Sequence, residues 1–169
     1  RIRAYAAKGI LHSVYIGDEP HGNHVPGEMV AHIASLVRSQ GWRTMLVDLP
    51  GAPHPAVDYY GISCYEHIGQ QGGRGGCRQS YYADPSANIV VVPGFYSPGH
   101  EDGRRDGVGY QKWEQTAYAQ LVEELRESRK MEGVLIFLWP SAAGLIGPRD
   151  DQELVQQHQA MAQRLGVIR

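Results

Sequence analysis

Apolar residues gather along the chain in four short, unbroken runs: 13–17 (SVYIG), 44–48 (TMLVD), 88–93 (NIVVVP) and 133–139 (GVLIFLW). A fifth run, 57–63 (VDYYGIS), is more polar. Continuous rather than alternating runs suit strands of a parallel sheet that is buried on both faces. Between the runs the apolar period becomes helical. Met29, Val30, Ile33, Leu36 and Val37 share one face of 27–39. Trp113, Ala117, Leu121, Val122 and Leu125 do so in 110–130, and Leu154, Val155, His158, Met161, Ala162 and Leu165 in 151–165. Each set predicts an amphipathic helix with one buried stripe. Asp150 or Asp151 is placed to cap the last of them, and residues 1–8 read as the end of an earlier helix.

Helix, strand, helix, strand, strand, long loop, strand, helix, strand, helix is the order of an α/β chain with right-handed crossovers. The fold expected is a single α/β domain over 1–169, with about five parallel strands alternating with helices. One link departs from the rule. About eight residues (49–56) join the second and third strands, where a parallel crossover usually takes about ten or more. Either a single helical turn serves there or the strand edges lie elsewhere. No internal repeat or linker is visible.

The chain has 169 residues, 42% hydrophobic and 20% charged, with a net charge of −2. That balance fits a soluble globular domain and argues against a nucleic-acid partner held through phosphates. No run is long enough to span a membrane, and no signal peptide is recognisable at the start. Ten tyrosines against two phenylalanines favour half-wet aromatic surfaces such as sugar clefts. Cys64 and Cys77 bracket a glycine-rich stretch, and a disulfide between them would place the protein in a secreted or periplasmic compartment.

Each strand run ends in polar or aromatic residues and then a Gly/Pro-rich loop. Ligands of parallel α/β folds bind at the carboxyl ends of the strands. One rim is therefore expected to gather Asp18, Glu19, Asp48, Tyr65, Tyr96 and Trp139. QQGGRGGCR (70–78) lacks the order of a phosphate loop and reads as a flexible rim loop, and HEDGRRDG (100–107) as a solvated loop over the cleft. The absence of a Gly-x-Ser-x-Gly elbow argues against a serine hydrolase of the α/β type.

With these strand ends in place, the chain resembles strands four to eight, the C-terminal half, of a (β/α)8-barrel glycoside hydrolase. VYIGDEP is similar to the fourth strand with its acid/base Glu followed by Pro. RTMLVDLPG, VDYYGISCY, NIVVVPGFYS and GVLIFLWPS then correspond to strands five to eight. The resemblance implies a partial TIM barrel acting on an oligo- or polysaccharide without a cofactor, with Glu19 as general acid/base and Asp18 as its partner. Asp48, Tyr65, Tyr96 and Trp139 would line the sugar site. A nucleophilic Glu is absent from the seventh strand end, VVVPGFYSPGHED. Enzymes of N-acetyl sugars manage without one, because the substrate's acetamido oxygen attacks while Asp orients it. Asp18-Glu19 resembles such a pair. Asp48, Glu66, Glu101 and Asp102 are the other sources of a second carboxylate. The first three strands of a full barrel are missing, so the missing half or a second copy of the chain is an expected partner.

Other readings of the same residues stand beside this one. Asp18-Glu19-Pro20 after a strand can cap the next helix. A half-barrel with an aromatic cleft can bind glycans without cleaving them. Glu19, His21 and His24 can be read as zinc ligands of a metal-dependent hydrolase, although the loop spacing of the two histidines lacks helical presentation.

Overall fold

The computed structural model describes residues 4, 7–8, 11–63, 77–93, 115–128, 131–137, 147 and 149–166. Its elements in chain order are β1 (Ser13–Asp18), α1 (Gly27–Ser39), β2 (Arg43–Asp48), β3 (Tyr59–Ile62), α2 (Cys77–Ala83), β4 (Ile89–Pro93), α3 (Gln115–Ser128), β5 (Gly133–Phe137) and α4 (Gln152–Arg164). The five strands lie in sequence order in one sheet, and every neighbouring pair is parallel. The sheet curls into a half-barrel. The register shows how. A single row of paired residues runs Asp18, Val47, Gly61, Ile89, Gly133. It starts at the last residue of β1 and ends at the first residue of β5. Strands staggered in this way tilt across the curl, as barrel closure requires.

Alternation along the strands separates two faces. Leu46, Tyr60, Ile62, Val90 and Val92 point to the helices and join Val30, Tyr81, Tyr118, Leu121, Leu125 and Met161 in the core. Val47, Gly61, Ile89 and Val91 have the opposite parity and face the concave side. Gly61 is required there, since a Cβ at this position would lie 2.6 Å from Val91 Cγ2. The helix α1 ends through Gln40 and Gly41, whose φ of 76° suits the left-handed residue that follows a helix C-cap. Asp151 caps α4 as expected, its side chain accepting from the backbone N–H groups of Glu153 and Leu154. Arg164 binds Glu123 with both nitrogens at 2.7 Å and ties α4 to α3.

The β3–β4 seam has one paired position, Gly61 with Ile89. Side chains complete it. Tyr81, fully buried on α2, accepts from the N–H groups of Val91 (2.8 Å) and Ile62 (3.3 Å) and donates to Ile62 O (3.1 Å). Asn88 accepts from Tyr60 N and donates to Asp58 O, both at 2.8 Å. The helix α2 was not expected from the sequence. Cys77 and Tyr81, four residues apart, are its buried positions, and two apolar positions in an otherwise polar stretch leave no helical pattern to read. Of the stretch 70–78 expected to be a loop, Cys77 and Arg78 instead open this helix; 70–76 and the stretch 100–107 lie outside the described residues.

The short link after β2 is a crossover of ten residues, 49–58, without a helix. Buried Ala52 and the His54 ring, stacked on Tyr60 at 3.7 Å between centroids, cover the sheet where a helix otherwise would. At the amino ends of β2 and β3, Asp58 accepts from Thr44 N and Thr44 Oγ1 at 2.8 Å. Burial pushes the Asp58 carboxyl up, but these hydrogen bonds and the nearby Arg38 guanidinium outweigh it and hold the group below its ordinary range.

His158 on α4 is 5% exposed, and neither ring nitrogen has a hydrogen-bond partner. Burial lowers its pKa to about 4. The unfolded chain therefore takes up a proton near pH 6.5 that the fold excludes until about pH 4. Full stability is present above pH 6.5 and is lost as pH falls toward 4. Two outcomes are expected. By urea denaturation, the wild type loses about 2 kcal/mol between pH 7 and pH 5, and His158→Leu loses little of it. Tyr81→Phe, which strands two buried N–H groups, lowers stability by about 1–3 kcal/mol at pH 7 in the same measurement.

Candidate functional site

The carboxyl ends of β1, β2 and β3 meet at one rim. After Asp18 the chain turns sharply. Glu19 sits at φ 47° and His24 at φ 58°, both in the left-handed region that side chains disfavour. The turn is closed by backbone bonds from Asn23 N to Glu19 O (2.9 Å) and from Val25 N to Pro20 O (2.8 Å). The Asn23 amide adds bonds to the carbonyls of Asp18 (3.1 Å) and Glu19 (3.0 Å). The pair does not cap the next helix. α1 begins eight residues after Glu19, and its N-cap position, Pro26, carries no side-chain cap.

Asp48 ends β2 and is 1% exposed. Its carboxylate accepts from Leu49 N at 2.8 Å and from His21 N at 3.3 Å. Its own carbonyl accepts from Ser63 N at 2.7 Å, while Val47 O accepts from Glu19 N at 2.8 Å. Asp48, expected to line a sugar site, stands at this rim with its oxygens on backbone donors, and these contacts fix where the turn after β1 lies.

Glu19 is half-buried, and the buried Ser63 hydroxyl donates to its Oε1. Ser63 has the concave parity of Gly61 and brings this contact to the inner rim. Asp18 is exposed and belongs to the concave row; its Oδ1 accepts from Tyr15 at 2.8 Å. The structure thus brings Asp18, Glu19, Asp48 and Ser63 to one end of the half-barrel. Tyr65, Tyr96 and Trp139 lie outside the described residues, as do Glu66, Glu101 and Asp102. Sequence reasoning did not select Ser63 or Tyr15. A serine closing a buried strand at the common rim was the available signal for Ser63; Tyr15 had none beyond its spacing of three from Asp18.

His21 and His24 are exposed. Among the described residues no three His, Cys, Asp or Glu side chains are gathered as a metal would need, and the Glu19, His21, His24 set is not brought together. Cys77 is disulfide-bonded, and the other cysteine of the chain is Cys64, outside the described residues. No described helix is long and apolar enough to cross a membrane.

Removing the Asp48 carboxylate leaves the N–H groups of His21 and Leu49 without an acceptor. Asp48→Ala is expected to lower stability by about 2–3 kcal/mol by urea denaturation and to speed amide exchange at His21 and Leu49. No protein-family model, curated protein or solved structure matches the chain.

Proposed function

We propose that the chain is a glycoside hydrolase-like domain in which Glu19 is the general acid/base and Asp18 orients the substrate. The observation that carries this reading is the state of Glu19. It occupies a left-handed backbone conformation at the carboxyl end of a parallel strand, with a buried hydroxyl aimed at its carboxyl group. Such backbone strain is retained where surrounding contacts enforce it, and it clusters at functional sites. The left-handed residue is a glutamate, which no turn requires, rather than glycine or asparagine.

The chemistry follows from the two oxygens. With Ser63 donating to Oε1, the proton of the acid form resides on Oε2, which delivers it to the leaving glycosidic oxygen. Asp18 stands next along the chain, exposed on the concave side, with Tyr15 holding one of its oxygens. An acceptor there suits the N–H of an acetamido group, whose carbonyl oxygen then attacks the anomeric carbon as the glycosidic bond breaks. Water completes the cycle, with Glu19 now taking the proton. The hydrogen bonds of Asp48 to backbone donors support substrate assistance over a nucleophile from β2.

The test is hydrolysis of a panel of aryl glycosides, N-acetylhexosaminides included, by the wild type and by Glu19→Gln. The expected result is cleavage with a preference for N-acetyl sugars, reduced about 10²–10⁴-fold in Glu19→Gln while the circular-dichroism spectrum is unchanged. Equal rates in the two proteins would remove Glu19 from the mechanism. Glycan binding without cleavage would leave a lectin-like half-barrel.

A further inference from the structure

Away from the rim, toward the amino ends of the strands, the half-barrel holds a cavity of about 320 Å³. Met45 and Ile89 of the concave face, Leu135 and Ile136 of β5, and Met161 and Leu165 of α4 make its wall apolar. An apolar wall with a few polar groups is the usual makeup of a small-molecule site, and such sites measure about 300–1,000 Å³. Water gains little in such a space, because apolar side chains offer it no partners. At about 30 Å³ for each water-sized group, the cavity has room for about ten non-hydrogen atoms.

His12, Tyr59 and Glu132 bring polar groups into this wall. Tyr59 is 4% exposed, so its hydroxyl must find partners inside the protein. A phenol hydroxyl has one donor and two acceptor sites. The Arg43 guanidinium donates into one acceptor site. His12 Nε2, at 3.2 Å, takes either the second acceptor site or the proton, according to its tautomer. One site of the hydroxyl is left over for a ligand.

Charges of both signs stand around this point. The pKa of Arg43 is raised chiefly by its hydrogen bond with Tyr59, and further by the Asp58 and Glu132 carboxylates. Glu132 is in the wall itself and has interactions of its own. A carboxylate head on a ligand would meet Glu132 as a like charge, and an ammonium head would meet Arg43. A neutral hydroxyl avoids both costs. It also donates and accepts, so it matches whichever site His12 leaves on Tyr59.

We propose that this cavity binds a neutral alcohol with an apolar body, about ten non-hydrogen atoms in all. Its hydroxyl bonds Tyr59, and its body packs against Met45, Ile89 and Met161. The site lies toward the opposite end of the strands from Glu19 and does not rest on the hydrolase reading.

Isothermal titration calorimetry of the full chain with 1-octanol, octanoate and octylamine tests it, since the three share one body and differ in the head. The expected result is one octanol per chain, bound more than about 10-fold more tightly than either ion. Tyr59→Phe keeps the ring and should weaken octanol about 3–10-fold, the loss of one hydrogen bond. Ala162→Trp, which fills the cavity from α4, should abolish binding with the circular-dichroism spectrum retained. In the wild type labelled at its methionine methyl groups, octanol should move the NMR signals of Met45 and Met161 and leave that of Met29, exposed on α1. An ion bound as tightly as octanol would overturn the assignment of a neutral head. The site itself would be overturned if none of the three binds, if both variants leave octanol binding unchanged, or if Met45 and Met161 do not respond.

Discussion

The buried carboxylate of Asp48 governs how the three strand ends come together. A charge with almost no solvent must be matched by hydrogen-bond donors. Here the donors are backbone N–H groups of the residue that follows it and of the turn after β1. Its neighbours in the main chain extend the same lock, Val47 O toward Glu19 and Asp48 O toward Ser63. Glu19 is thereby forced into a left-handed conformation, and Ser63 is set beneath its carboxyl group. The geometry of the rim is therefore a consequence of satisfying one buried anion, with the candidate acid/base as the residue that bears the strain.

The same demand for satisfied backbone explains the middle of the sheet. Where β3 and β4 separate, Tyr81 and Asn88 take over the bonds that a regular ladder would make. Tyr81 is supplied by α2, so this short helix is part of the sheet's hydrogen bonding as much as of the core. The missing helix between β2 and β3 is compensated differently, by an aromatic stack and a buried alanine. Parallel sheets need both faces covered, and this chain covers one stretch with a helix and another with a loop.

The curl of the sheet separates two features. The rim that holds Asp18 and Glu19 lies at the carboxyl end of the strands, while the cavity lies toward their amino ends and around the β5 edge.

Hydrophobic period alone determined much of this protein. The five strands, their parallel arrangement and the helices α1, α3 and α4 followed from which residues must be buried, and burial is a property each run carries with it. The choice of Asp18 and Glu19 also came from the chain, through their position at the end of an apolar run. What the sequence left open depends on residues far apart in number. The helix α2 is stable because Tyr81 reaches across to β3 and β4, a contact 10 to 19 residues away that no local pattern encodes. Asp48 read as a site residue because it ends a strand, and only the turn from β1, 27 residues earlier, decided that its oxygens face backbone. The contact of Ser63 with Glu19 spans 44 residues and exists only once the sheet is formed. Long-range hydrogen bonds are assigned by folding rather than by composition, because their partners are neighbours in space alone.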